Sequence, residues 1–347
     1  MKPNQPRSRT FLAAVLGAIS LAAASSQAVA AESTKYPLTV QNCGVSVTFD
    51  KPPQRVVSIG QSSTEILLSL GLAPKMVGTA VWFGPVLPQF KEQNAKIPRL
   101  ADNDPSFESV VKQKPDLVTA EYEWHVGPHG IVGTRPQFKK LGISTYVSPS
   151  DCVGKDNSTG GDGTRTRMFT MDLVYREIHQ LAAIFDVGDR GDALVARLKA
   201  REAAARKLAG ADKAHNTPVM FWFSSKQVEG DAFVAGRTGV PAYMSKVLGL
   251  TNIIESDDEW PQVGWEQIAA SDPSVIVIAK MSRRRYAADD PAVKMKFLDT
   301  DPVASQLQAV RTKHLIVLSA QEMDPSIRVV DGIETLAESI KKFGLNK

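Results

Sequence analysis

The chain has little cysteine, no strong charge bias and none of the short motifs that mark common catalysis. Cys43 and Cys152 are its only cysteines, too few for a cysteine-rich metal scaffold. Gly-x-Ser-x-Gly, a Walker loop and His-Glu-x-x-His are all absent, so the residues offer no serine-hydrolase elbow, nucleotide cradle or zincin pair. Gly160-Gly161-Asp162-Gly163 has no Lys-Ser/Thr after it and reads as a surface loop. The formal net charge is +4, and Lys2, Arg7 and Arg9 near the start supply three of those charges. The remainder is close to neutral, which argues against a nucleic-acid partner. Beyond the first thirty residues no apolar run is long enough to span a bilayer. Hydrophobic content of 43% and charged content of 22% exclude wholesale disorder.

The start of the chain stands apart. A basic opening precedes the apolar run Phe11 to Ala24, and Ala28-Val29-Ala30 is a small-x-small cleavage pattern. These three parts predict a secretory signal peptide over residues 1–30, since the run falls short of the ~20 residues of a spanning helix. No cysteine sits near the cleavage point, so no lipid attachment is expected. In the oxidising compartment that export implies, Cys43 and Cys152 are expected to pair as a disulfide, with two buried free thiols as the alternative.

The remaining length suits about two domains on a ~150-residue prior. Residues 36–50 alternate as two short strands, and residues 55–59, 76–79, 117–120 and 143–147 read as buried strands separated by short helices. This predicts an α/β N-terminal lobe over 31–165 with a mostly parallel sheet. Residues 153–164 are rich in Gly, Ser, Asp and Asn and read as loop. Residues 166–210 read as a linking helical segment, with a break at Gly188 to Gly191. A second α/β lobe over 211–347 repeats the scheme, with strands at 219–223, 275–279 and 314–318 and a closing helix from Val329. The fold class is therefore α/β, two mostly parallel-sheet lobes joined by a single long helix, with a ligand cleft between the lobes.

Candidate site residues gather after strands, where α/β folds bind ligands. Glu121 to His129 combines carboxylates with Tyr122, Trp124, His125 and His129. Such a set suits a planar chelate through its rings, or a metal through Tyr122, His125 and His129; ordinary loop packing is the competing account. Trp82, Phe83, Trp222, Phe223 and Trp260 are candidate walls of the cleft, against a core role for each. Arg237, the run Arg283, Arg284, Arg285 and the following Tyr286 are candidates for pairing with carboxylate or catecholate oxygens; a solvated charge run is the bland account.

The segments RVVSIGQSSTEILLSLGL (55–72), FESVVKQKPDLV (107–118), VPAYMSKVLGLTNI (240–253) and WPQVGWEQIAASDPSVIVI (260–278), in that order and spacing, resemble the periplasmic binding proteins for iron-siderophores, haem and cobalamin. The resemblance implies capture of a metal chelate in the periplasm and delivery to an inner-membrane ABC permease and its ATPase. It implies a monomer without catalytic residues or a cofactor of its own. It places permease-docking acids at Glu108 and Glu266, and a ligand-contacting ring at Trp260 as in the cobalamin binder. Ala101 and Glu121 stand where that binder has tryptophans. The basic candidates favour an anionic ferric siderophore as the chelate. Cobalamin, haem, or a metal-handling role for the 121–129 loop are the alternatives. A stiff helical connection implies only small closure on binding.

Overall fold

The computed structural model describes Met1 and residues 33–158, 163–211 and 216–346. The expected signal peptide at 1–30 lies outside the described residues save for Met1. In residues 32–347, β-branched runs bounded by Gly, Pro and Asp turns form the sheets. The N-terminal sheet has five parallel strands in the order Arg99–Ala101, Met76–Ala80, Val56–Ile59, Leu117–Ala120, Ser144–Val147. Val56–Ile59 and Leu117–Ala120 are buried at every position, as expected for central strands covered on both faces. Val57, Ile59, Val118 and Ala120 enter one apolar cluster, and Val56 and Leu117 enter another.

The predicted N-terminal hairpin is Leu38–Asn42 with Val45–Phe49. Its turn is fixed to the lobe twice. Cys43 bonds Cys152 across 109 residues. The Asn42 side chain also mimics a strand, donating to the Val147 carbonyl at 2.7 Å and accepting from the Val147 N–H at 2.8 Å.

In the C-terminal lobe, Thr217–Ser225, Val275–Lys280 and Leu315–Ser319 run parallel, with Leu250–Asn252 alongside the start of the first. The expected parallel scheme gives way at one edge. Ala232–Val234 returns antiparallel to Thr217–Ser225 and is followed outward by Gln262–Val263, again antiparallel. That edge carries Trp260 to the cleft.

The linking segment folds as two helices, Met171–Ile184 and Gly188–Leu208. The break lies at Phe185 to Val187, where Asp186 turns left-handed at φ 55, and not at Gly188–Gly191. Those glycines are helical, and Gly191 serves close packing, since a Cβ there would fall 2.6 Å from the Ala182 Cβ. The second helix is tied at both ends. Arg190 donates to the Leu70 carbonyl at 3.0 Å, and Arg201 pairs with Asp331 and Glu334 of the closing helix Val329–Lys342. One apolar cluster runs from Leu70 and Leu117 through Ile178 and Leu198 to Val219, Val275 and Leu336. Such a shared core favours small movements between the lobes.

Candidate ligand-binding cleft

Between the lobes, at the carboxyl ends of both sheets, lies a cleft of about 370 Å³. Short post-strand loops deliver its walls. On the N-terminal side, Val81 adopts φ 62, a left-handed conformation unusual for a β-branched residue. The turn sends Trp82 into the core and Phe83 into the cleft. After Leu117–Ala120 come Glu121, Tyr122 and Trp124. Tyr122 and Trp124 stack with ring centroids 4.1 Å apart and planes 3° from parallel, and Phe83 meets Tyr122 edge-on at 6.4 Å. On the C-terminal side, Phe223 and Trp260 pack at 4.4 Å. A ligand in the cleft therefore meets ring surface from both lobes.

Glu121 occupies the floor. Gly60, at φ 121, makes its approach possible, because a Cβ there would lie 2.2 Å from the Glu121 Cβ. The carboxylate accepts from the Ser62 N–H at 3.0 Å. Burial, with Asp324 and Glu177 nearby, pushes the Glu121 carboxyl up to about 8, so near neutral pH it is largely an uncharged donor and acceptor. Glu177 lies behind it, bonded by Ser63 at 2.7 Å and Ser148 at 2.5 Å, and burial raises it too.

The basic residues of the lining are mostly committed. Lys155 pairs with Asp151 at 2.7 Å. Arg165 pairs with Glu259 of the other lobe at 2.6 Å. Arg283 reaches across the lobes to donate to the carbonyls of Trp82 at 2.8 Å and Asp102 at 2.9 Å, and to the Asn103 side chain. Arg285 lines the cleft from an exposed loop. Four cations thus share the cleft with the carboxylates of Asp151, Glu259 and Asp324 and with a largely uncharged Glu121, which leaves a small positive excess.

Of the sequence candidates, Phe83, Tyr122, Trp124, Phe223, Trp260, Arg283 and Arg285 line this cleft. The others sit elsewhere. Trp82 is 2% exposed, its indole donating to Thr79 with the Arg99 guanidinium over its ring. Trp222 is wholly buried against Trp265 at 4.8 Å; its neighbour Phe223 takes the cleft face because side chains alternate along a strand. Arg237 is exposed and paired with Asp257, and Arg284 with Asp290. Tyr286 turns its backbone N–H to Asp289. The proposed metal set of Tyr122, His125 and His129 is not assembled. His125 is fully buried with its ring on Asp104 at 3.0 Å, burial lowering its pKa, while His129 is exposed. Among the described residues no three His, Cys, Asp or Glu side chains gather as a metal site.

Sequence reading missed Ser150, Asp151, Lys155, Arg165, Glu259 and Asp324 as lining. The stretch read as loop holds an antiparallel pair, Lys155–Asp156 with Thr164–Arg165, which delivers Arg165. Cys43–Cys152 pins the neighbouring 148–152 segment to the hairpin turn. Glu108 and Glu266 are exposed in the first turns of Phe107–Val111 and Trp265–Ser271.

The sequence model of the family described as periplasmic binding protein matches residues 56–322. An uncharacterised ABC transporter substrate-binding lipoprotein, YvrC of Bacillus subtilis (strain 168), is 25% identical over 314 residues, covering 88% of this chain and 86% of its own. A periplasmic binding protein from Veillonella parvula superposes with a TM-score of 0.72 at 23% identity, covering 87% of this chain and 97% of that one. An ABC-type Fe3+-hydroxamate transport system structure from Saccharomonospora viridis superposes at 0.66 with 27% identity, covering 88% of this chain and 99% of that one.

Proposed function

As the chain belongs to the periplasmic binding protein family, the ligand-capturing component of ABC importers, we propose that it binds a ferric siderophore of low net charge, foremost a hydroxamate chelate. The carrying observation is a cleft with rings on both lobes in which two of the four lining cations, Lys155 and Arg165, are already paired with carboxylates. Singly charged hydroxamates cancel the ferric charge, whereas doubly charged catecholates leave a large negative excess. A cleft with only a small positive excess offers that negative charge little compensation. Of the basic run that favoured an anionic chelate on sequence grounds, Arg284 turns to Asp290 and Arg283 spends its donors on backbone carbonyls, which leaves Arg285 at the cleft. The Saccharomonospora protein, described as a Fe3+-hydroxamate transport system, supports the same class.

The protein works after export, in the periplasm, and makes or breaks no bond. The loaded form presents Glu108 and Glu266, one on each lobe, to basic groups of the permease. Two separate carboxylates set the register of docking. Replacing both with Ala abolishes uptake and leaves ligand affinity unchanged; normal uptake by the double variant removes the docking role.

Tryptophan-fluorescence titration with a panel of ferric hydroxamates, a ferric catecholate, ferric citrate, haem and cobalamin tests the ligand. Tight quenching by a hydroxamate chelate is expected. Tighter binding of the catecholate overturns the low-charge reading, and binding of haem or cobalamin alone keeps the transport role with another ligand.

A further inference from the structure

Two buried polar atoms of the cleft have no hydrogen-bond partner among the described residues: Ser150 Oγ and Arg165 Nη1. Other orphaned atoms occur, but among the described residues these two belong to the cleft lining. Both side chains are held in place. Ser150 is 3% exposed, and Arg165 is 4% exposed. Arg165 Nε donates to Glu259 at 2.6 Å, and its Nη2 donates to the Ser150 carbonyl at 3.0 Å. The Phe169 ring lies 5.7 Å from the guanidinium carbon. The guanidinium is a rigid planar fork, so anchoring two nitrogens fixes the direction of the third. The antiparallel pair Lys155–Asp156 with Thr164–Arg165 and the disulfide at Cys152 hold this corner. Buried donors of this kind weaken the unliganded fold unless something supplies an acceptor.

We propose that Ser150 Oγ and Arg165 Nη1 form a polar subsite that accepts a neutral carbonyl oxygen, an amide or hydroxamate C=O at the rim of the bound chelate. This deepens, and rests on, the low-charge chelate reading above. The acceptor is neutral because the Arg165 charge is already matched by Glu259, and Lys155 by Asp151. A carboxylate here would face Glu259 and Asp151, whose charges already match those of Arg165 and Lys155. Since Arg165 and Glu259 come from opposite lobes, an occupied subsite also bears on the contact between them.

Ferrioxamine E, a neutral cyclic hydroxamate chelate with amide carbonyls, is the probe. Its affinity and the thermal midpoint are measured for the unaltered protein, Ser150→Ala and Arg165→Lys. Ser150→Ala removes a hydroxyl with no hydrogen-bond partner among the described residues, so its midpoint is unchanged or higher while Kd rises about fivefold. Arg165→Lys keeps the charge opposite Glu259 but loses the fixed fork, and Kd rises about tenfold or more. A purely structural role for these residues moves the midpoint and not the affinity. Both variants binding within twofold of the unaltered protein overturns the subsite. Tighter binding of ferric citrate, falling with the same substitutions, overturns the neutral acceptor. Failure of the unaltered protein to bind any ferric hydroxamate is a separate result: it overturns the ligand reading, and the carbonyl assignment with it.

Discussion

The two lobes present similar ring surfaces to the cleft but fasten them differently. The N-terminal lobe uses a covalent link and a buried acid. Cys43–Cys152 holds the segment behind Ser148 and Ser150, and Glu121 sits under the Ser62 amide. The C-terminal lobe uses a buried base. Lys294 is fully buried and donates to the carbonyls of Phe223 at 2.5 Å, Ala279 at 2.9 Å and Trp222 at 3.3 Å, gathering two strand ends under the cleft. Asp289 accepts from the backbone of Arg285 and Tyr286 and from Ser224, which holds the loop that carries the arginines. Burial pushes Glu121 up to about 8 and Lys294 down to about 7. The same desolvation thus leaves both groups less charged than in water, with opposite consequences for pH dependence.

Titration separates them with the largest expected effect. Glu121 holds its proton more tightly folded than unfolded, so its contribution is fullest below 4.5 and is lost as pH rises to about 8. The loss amounts to roughly 4–5 kcal/mol across that window. Glu121→Gln removes it, and chemical denaturation at pH 5 and pH 8 reads the difference; equal pH slopes for both proteins refute the assignment. Lys294 gives the mirror image. Its folded value is depressed, so stability rises with pH between about 7 and 10.5, at up to about 1.4 kcal/mol per pH unit. Lys294→Met flattens that rise, measured by denaturation at pH 7.5 and 9.5.

Breaking the covalent fastener comes next. The disulfide closes a loop of 109 residues, and Cys43→Ser with Cys152→Ser costs about 2–5 kcal/mol in denaturant unfolding. Ligand affinity falls as well, because Ser150 and Asp151 lose their tether. Equal affinity in the reduced and oxidised protein shows that the disulfide serves stability alone.

The lobes also differ in how far sequence reveals them. Continuous apolar runs and Pro, Asp and Gly turns locate the strands read at 55–59, 117–120 and 275–279, because those patterns are local. The helix break is displaced, since Gly191 is needed for contact with Ala182, a constraint that only packing exposes. Trp82 and Phe83, like Trp222 and Phe223, are adjacent residues of similar chemistry whose directions depend on a strained turn and a strand register. Composition finds the pair and leaves open which member faces the cleft. Arg165 and Glu259 are separated by 94 residues, and no local signal couples them.

The arginine run sharpens the point with the smallest expected effects. Arg283, Arg284 and Arg285 are adjacent and look equivalent in sequence. The fold gives the first a clasp on Trp82, Asp102 and Asn103 of the other lobe, and the second an exposed pair with Asp290. Arg283→Ala removes hydrogen bonds that hold the Phe83 loop to the C-terminal lobe, so Kd rises several-fold, on the order of tenfold if the clasp orders that wall. Arg284→Ala breaks a surface ion pair worth at most about 0.2–1 kcal/mol and leaves Kd within twofold. Titration of the two single variants decides between a cationic patch and a clasp. Equal losses from both restore the patch and with it the anionic ligand. A loss confined to Arg283 shows that position, rather than charge, distinguishes members of the run.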